Sequence, residues 1–150
     1  MNTMPVMRNI AALFAFSFAL FSPNLQAADA HDKTASTHTR VVFQVSDNDD
    51  KKWNLALNNV KNVQQALGAD NVDIEVVTYG PGVNMLKFES NVAERVDEAI
   101  KAGVKIVACQ NTMKALKLNK SDMMSTIAYV PAGVIELIRK QNEGYAYIRP

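Results

Sequence analysis

Apolar and polar positions alternate along this chain in blocks that switch between a two-residue and a 3.6-residue period. The first block, Val41-Val42-Phe43-Gln44-Val45, is short and β-branched and runs into the polar turn Ser46-Asp47-Asn48-Asp49-Asp50, which predicts a strand followed by a helix start. Trp53, Ala56, Leu57, Val60, Val63 and Leu67 then recur at helical spacing, and Gly68 closes the segment. Val72, Ile74, Val76 and Val77 predict a second strand, ended by Tyr79-Gly80-Pro81-Gly82. A second amphipathic helix points Val92, Val96, Ala99 and Ile100 inward, with Asn91 as N-cap and Gly103 as stop. The run Val104-Lys105-Ile106-Val107-Ala108 predicts a third strand ending at Cys109, and a short helix through Met113, Leu116 and Leu118 follows. Thr126-Ile127-Ala128-Tyr129-Val130 reads as a fourth strand, and Pro131 stands where a first helical turn tolerates it. The last helix is expected to turn Val134, Ile135 and Ile138 inward before Gly144, and Tyr145-Ala146-Tyr147-Ile148 makes a fifth strand. Strands alternating with helices in this way form an α/β domain, its five-stranded sheet mostly parallel and covered on both faces, joined by right-handed crossovers. No internal repeat interrupts the pattern.

Outside that pattern lies the N-terminus. Residues 1–27 carry one cation, Arg8, no acid, and an apolar stretch from Ile10 to Phe21 too short to span a bilayer comfortably, which predicts a cleavable signal peptide. The cluster Ala27-Ala28-Asp29-Ala30 offers cleavage after Ala27 or as late as Ala30. Residues 28–39 lack large apolar side chains and period, so they read as a flexible linker to a domain over residues 40–150. The mature protein is expected to be exported, to the periplasm, with no stable membrane insertion after cleavage.

Loss of Arg8 leaves equal numbers of acidic and basic residues, which argues against nucleic acid as a partner. His31 and His38, both in the linker, make a poor ligand set, so no metal and no cofactor is expected. With one cysteine there is no intrachain disulfide, and the fold must rest on a single modest core.

Loops leaving the C-terminal ends of parallel strands gather on one edge, where open α/β sheets place their ligands. Asp47, Asn48, residues 80–84, residues 109–112 and residues 129–133 should meet there. Cys109 would then sit at a strand end facing a helix N-terminus, a position that can activate a thiolate; the alternative is a small hydrophobe that only packs. Gly80-Pro81-Gly82 resembles the start of a phosphate-binding turn, but Met85 replaces its third glycine and Pro81 removes a donor. A tight turn that brings Val83, Asn84 and Met85 toward the cysteine fits better, beside a plain loop. Asp47-Asn48-Asp49-Asp50 lacks the glycine and distal glutamate of a calcium loop and reads as a helix cap. Met85, Leu86 and Phe88 either cover the core or form a subunit contact, the core being the commoner fate. The domain has no histidine beyond the linker, which excludes a Cys-His hydrolase, and no C-x-x-C pair for an internal disulfide cycle. What a single activated thiol can do is accept a group, hold it covalently and pass it on.

Trp53 with Leu57 and Asn59, the turn Tyr79-Gly80-Pro81-Gly82-Val83, the turn Ala108-Cys109-Gln110-Asn111-Thr112-Met113, and Gly133-Val134 through Gln141-Asn142-Glu143-Gly144-Tyr145-Ala146-Tyr147-Ile148 together resemble the DsrE/DsrF-like family over residues 40–150. The resemblance implies a three-layer α/β/α sandwich and homo-oligomers, trimers or hexamers. It also implies sulfur-relay chemistry, in which a cysteine carries sulfur as a persulfide, and Cys109 is the corresponding residue. The family's relay members work in the cytoplasm, so an exported member would need a different sulfur donor and acceptor. The expectation is an exported carrier holding sulfane sulfur or a mixed disulfide on Cys109, a sulfurtransferase-like carrier at most. Gly80, Gly82, Val83, Asn84, Gln110, Asn111 and Thr112 line its site, with backbone donors around residues 82–84 steadying charge. Its partners would be small sulfur species and a thiol-containing donor or acceptor protein. The alternatives are a non-catalytic ligand-binding or assembly module with a structural cysteine, and a redox sensor working by intermolecular disulfide.

Overall fold

The computed structural model describes residue 1 and residues 38–150; the expected signal peptide and all of the linker before His38 lie outside the described residues. Five strands, β1 Thr39–Val45, β2 Val72–Thr78, β3 Lys105–Cys109, β4 Ala128–Val130 and β5 Ala146–Ile148, form one sheet in the order β4-β3-β2-β1-β5. Every neighbouring pair is parallel. The first strand starts two residues before Val41, because Thr39 pairs with Val72 while His38 reaches Asp73 at 2.8 Å.

Four helices cover the sheet: α1 Asp50–Leu67, α2 Ala93–Lys101, α3 Gln110–Ala115 and α4 Gly133–Asn142. From β1 to β4 the chain steps one way across the sheet, and the crossover through α4 returns to the far side of β1. With right-handed connections, that reversal puts α1, α2 and α3 on one face and α4 alone on the other. Side-chain alternation agrees with this division. Val41, Phe43, Val76, Ile106 and Ala108 enter the larger core with Trp53, Leu57, Val60 and Val96, whereas Val42, Val77, Val107 and Val130 meet Leu137 on the α4 face. Met85 and Leu86 are fully buried in the larger core, while Phe88 stays exposed.

Several element boundaries have local causes. Asp49 caps α1 by accepting from the N–H groups of Lys51 at 2.8 Å and Lys52 at 3.3 Å, so the acidic turn is the cap it resembled. Asn91 does not cap α2. Its side chain donates to the Asp50 carboxylate, Val92 takes the cap position, and α2 begins without a side-chain cap. The helix after Cys109 starts at once and ends at Ala115, earlier than Leu118, because Lys117 turns left-handed with φ 57°. Leu118 then donates to the Met113 carbonyl at 2.8 Å, closing the helix end.

The orientation of α4 reverses the expectation. Val134, Ile135 and Ile138 face outward, 50%, 63% and 48% exposed, while Glu136, Leu137 and Lys140 face the sheet. The cause lies in β2 and β3. Glu75 and Lys105 project onto this face, and the Glu75 side chain is 2% exposed, so burial requires cations around it. Lys140 supplies one at 3.2 Å and Lys105 another at 3.1 Å, while Arg139 pairs with Glu136. No helix among the described residues is long and apolar enough to cross a membrane.

Candidate functional site

Cys109 is the last residue of β3 and the N-cap of α3. As the third of the alternating positions Lys105, Val107 and Cys109, it points to the α4 face, toward the first turn of α4. Two helix N-termini therefore converge on one sulfur. The Thr112 N–H donates to Sγ at 3.4 Å, and the N–H of Gly133, first residue of α4, also favours charge on the sulfur. The Asn111 N–H is shared, since it donates to the Pro131 carbonyl at 3.1 Å and also favours charge on the sulfur. The Thr112 hydroxyl accepts from the Gly80 N–H at 2.9 Å, which leaves its own proton to turn to the sulfur. Burial alone would push the thiol up. The Thr112 hydroxyl, then the N–H groups of Gly133, Thr112 and Asn111, outweigh that and hold it below its ordinary value.

The neighbours expected from sequence divide. Gly80 joins the cysteine turn through Thr112, and Asn111 and Thr112 act through their N–H groups. Gln110 is exposed at the rim. The N–H of Gly82 is already committed, to the carbonyls of Ser46 and Tyr79 at 3.2 Å each, and the Val83 side chain is wholly buried. Asn84 donates to Asn48 at 3.1 Å in a separate polar cleft with Asp50, Trp53 and Lys87. The donors beside the sulfur are thus those of residues 111, 112 and 133, in place of the backbone around residues 82–84. Gly133 was expected at this edge within residues 129–133, but not as a donor to the sulfur. Its signal was a glycine directly after Pro131-Ala132 at a helix start. A Cβ there would stand 2.9 Å from the Tyr79 Cβ, so glycine lets Tyr79 close over this corner. Even so, Cys109 is only 4% exposed.

Thr112→Val removes the hydroxyl while keeping the shape. Alkylation of Cys109 at neutral pH should slow about fivefold, the worth of one hydrogen bond, and the midpoint of its pH profile should move up. A profile identical to wild type would remove the hydroxyl from the site.

The DsrE/DsrF-like family model matches residues 26–150. A protein of unknown function from Methanobacterium thermoautotrophicum is 38% identical and superposes with a TM-score of 0.72 over 75% of this chain and 99% of its own. A conserved protein of unknown function from Bacteroides thetaiotaomicron is 16% identical, with a TM-score of 0.62 over 77% of this chain and 97% of its own. The YchN protein from E. coli is 9% identical, with a TM-score of 0.61 over 75% and 99%. These last two share the fold. No curated protein matches the chain.

Proposed function

Because the chain belongs to the DsrE/DsrF-like family, we propose that it is an exported, periplasmic sulfur carrier that holds sulfane sulfur, or a mixed disulfide, on Cys109. One observation carries this reading: the only thiol of the domain ends a parallel strand where N–H donors from two helix starts favour its thiolate. In the loading step the Cys109 thiolate attacks the terminal sulfur of a polysulfide. A new S–S bond forms, the adjacent S–S bond breaks, and its electron pair leaves on a polysulfide one sulfur shorter. An acceptor thiolate then attacks the outer sulfur of the persulfide and releases the Cys109 thiolate, so neither step needs an oxidant. Export follows from the character of residues 1–27. A homo-oligomer, trimer or hexamer, accords with the family and with the outward Val134, Ile135 and Ile138 of α4.

Wild-type protein incubated with polysulfide and weighed intact should gain sulfur, and Cys109→Ser should gain none. The burial of Cys109 favours a second reading, an assembly or ligand-binding module whose cysteine only packs. An unmodified thiol that alkylates only after denaturation would establish that reading and end the first.

A further inference from the structure

The pairing of β2 with β3 brings a further side chain to the Cys109 sulfur. Val77 lies opposite Val107 and Thr78 opposite Ala108, which makes Tyr79 the next neighbour of Cys109. The backbone of Tyr79 is still extended, so its side chain falls on the same face as Val77, the face covered by α4. Adjoining strands run about 4.8 Å apart, and the ring and the thiol therefore share one space. The base of the ring lies against Gly133, where an added Cβ would stand 2.9 Å from the Tyr79 Cβ and 3.2 Å from Cδ1. On its other side Cys109 pairs with Val130 of β4. Val130, the first turn of α4 and Tyr79 thus enclose the sulfur. Val130 and Gly133 are buried, whereas Tyr79 is half-buried. The hydroxyls of Tyr145 and Tyr147 are tied to Lys140 at 3.4 Å and Gln44 at 2.6 Å, but that of Tyr79 has no partner among the described residues. Its ring can turn without breaking a hydrogen bond.

We infer that the Tyr79 ring is a size gate on Cys109, passing unbranched sulfane-sulfur chains and holding off bulky disulfides. With the thiol 4% exposed, a branched reagent cannot bring its own disulfide against the sulfur while the ring is in place. A polysulfide presents a chain one atom wide, which a partial swing of the ring admits. Once Cys109 is loaded, the outer sulfur of the persulfide stands about 2 Å beyond Sγ, the length of one S–S bond. An acceptor thiolate can then attack at the rim without reaching Sγ itself. The gate selects sulfane sulfur over a mixed disulfide. It rests on the carrier reading of Cys109, and reagents that transfer no sulfur measure access separately from carriage.

Iodoacetamide and its fluorescein conjugate carry the same electrophile at different sizes. Measured above the midpoint of the pH profile, where the thiol is ionised, Tyr79→Ala should speed the conjugate about tenfold relative to iodoacetamide, the effect of removing a modest local-opening step. Tyr79→Leu keeps apolar bulk against the cluster of Val107 and Leu137 and should change the ratio in the same direction with less risk to folding. Tyr79→Phe keeps the ring and should match wild type. Oxidised glutathione should leave wild type unmodified in the time polysulfide loads it. In Tyr79→Ala it should add one glutathione, the Cys109 thiolate attacking one sulfur of the disulfide and a glutathione thiolate leaving with the electron pair. A ratio that neither Tyr79→Ala nor Tyr79→Leu changes, or glutathione adding to wild type as fast as to Tyr79→Ala, would overturn the gate. A ratio changed by Tyr79→Ala in a protein that takes up no sulfur from polysulfide would keep the gate and overturn the carrier reading alone.

Discussion

Gly82→Ala should destabilise the domain by about 3 kcal/mol and slow the alkylation of Cys109. A Cβ at this position would lie 2.4 Å from the Val45 carbonyl oxygen, 2.7 Å from its carbon and 2.9 Å from the Ser46 Cα. All three obstacles are backbone, so no side-chain rotation can relieve them. Val45 cannot withdraw, because β1 lies between β2 and β5 and the Val45 carbonyl accepts the Tyr79 N–H at 3.2 Å. The turn at Gly80–Leu86 must therefore lift off, and with it the Gly80 N–H that holds the Thr112 hydroxyl beside the sulfur. Gly144→Ala serves as the comparison. Its φ is 85° with nothing within 4 Å of an added Cβ, so it should cost only the strain of a left-handed residue, about 1 kcal/mol. Denaturant unfolding of the two variants, with the pH profile of alkylation for each, checks both parts. Equal stabilities, or a Gly82→Ala thiol as reactive as wild type, would break the link from turn to site.

Much of this fold can be read from periodicity, and the exceptions share a cause. The five strands and four helices follow from β-branched runs and helical spacing, and Cys109 lies at the strand end its flanking residues imply. The inward face of α4 could not be read in this way. Positions 134, 135 and 138 and positions 133, 136, 137 and 140 both recur at helical spacing, and hydrophobicity favours the first set. The second set wins because Glu75, which looks like an ordinary polar position in an alternating strand, is buried opposite it. The donors to Cys109 were partly legible. Those of residues 111 and 112 follow from sequence proximity, but Gly133 arrives through a crossover and depends on strand order.

Lys140→Met should destabilise the domain by about 3 kcal/mol, with the loss growing as pH rises. Lys140 is the more buried of the two cations on Glu75; Lys105 is half exposed. Burial pushes the Glu75 carboxyl up from its ordinary value, and its contact with Glu136 adds to this against the pull of Lys105 and Lys140. Glu136 goes the other way. Although burial opposes it, Arg139 and the contact with Glu75 bring its carboxyl down to about 2. A proton on Oε1 of Glu75, the buried side-chain oxygen without a partner among the described residues, would turn it into a donor to Glu136 and account for both directions. The signs follow from linkage. Glu75, raised on folding, contributes stability that is present below its unfolded value and lost as pH climbs through its folded one. Glu136, lowered on folding, contributes stability that is present above its unfolded value and lost as pH falls toward about 2. Without Lys140, ionised Glu75 has only a half-exposed cation, so the variant should lose least at acidic pH, where Glu75 is protonated, and progressively more as pH rises. Glu75→Met combined with Lys140→Met removes both partners and should recover most of the loss, because a buried pair costs less to replace by packing than to break. Recovery should also restore the alkylation profile of Cys109, since α4 would again be seated with the Gly133 N–H against the sulfur. A loss independent of pH, or a double variant no more stable than Lys140→Met, would show that α4 is held by Leu137 and its apolar neighbours without the charges.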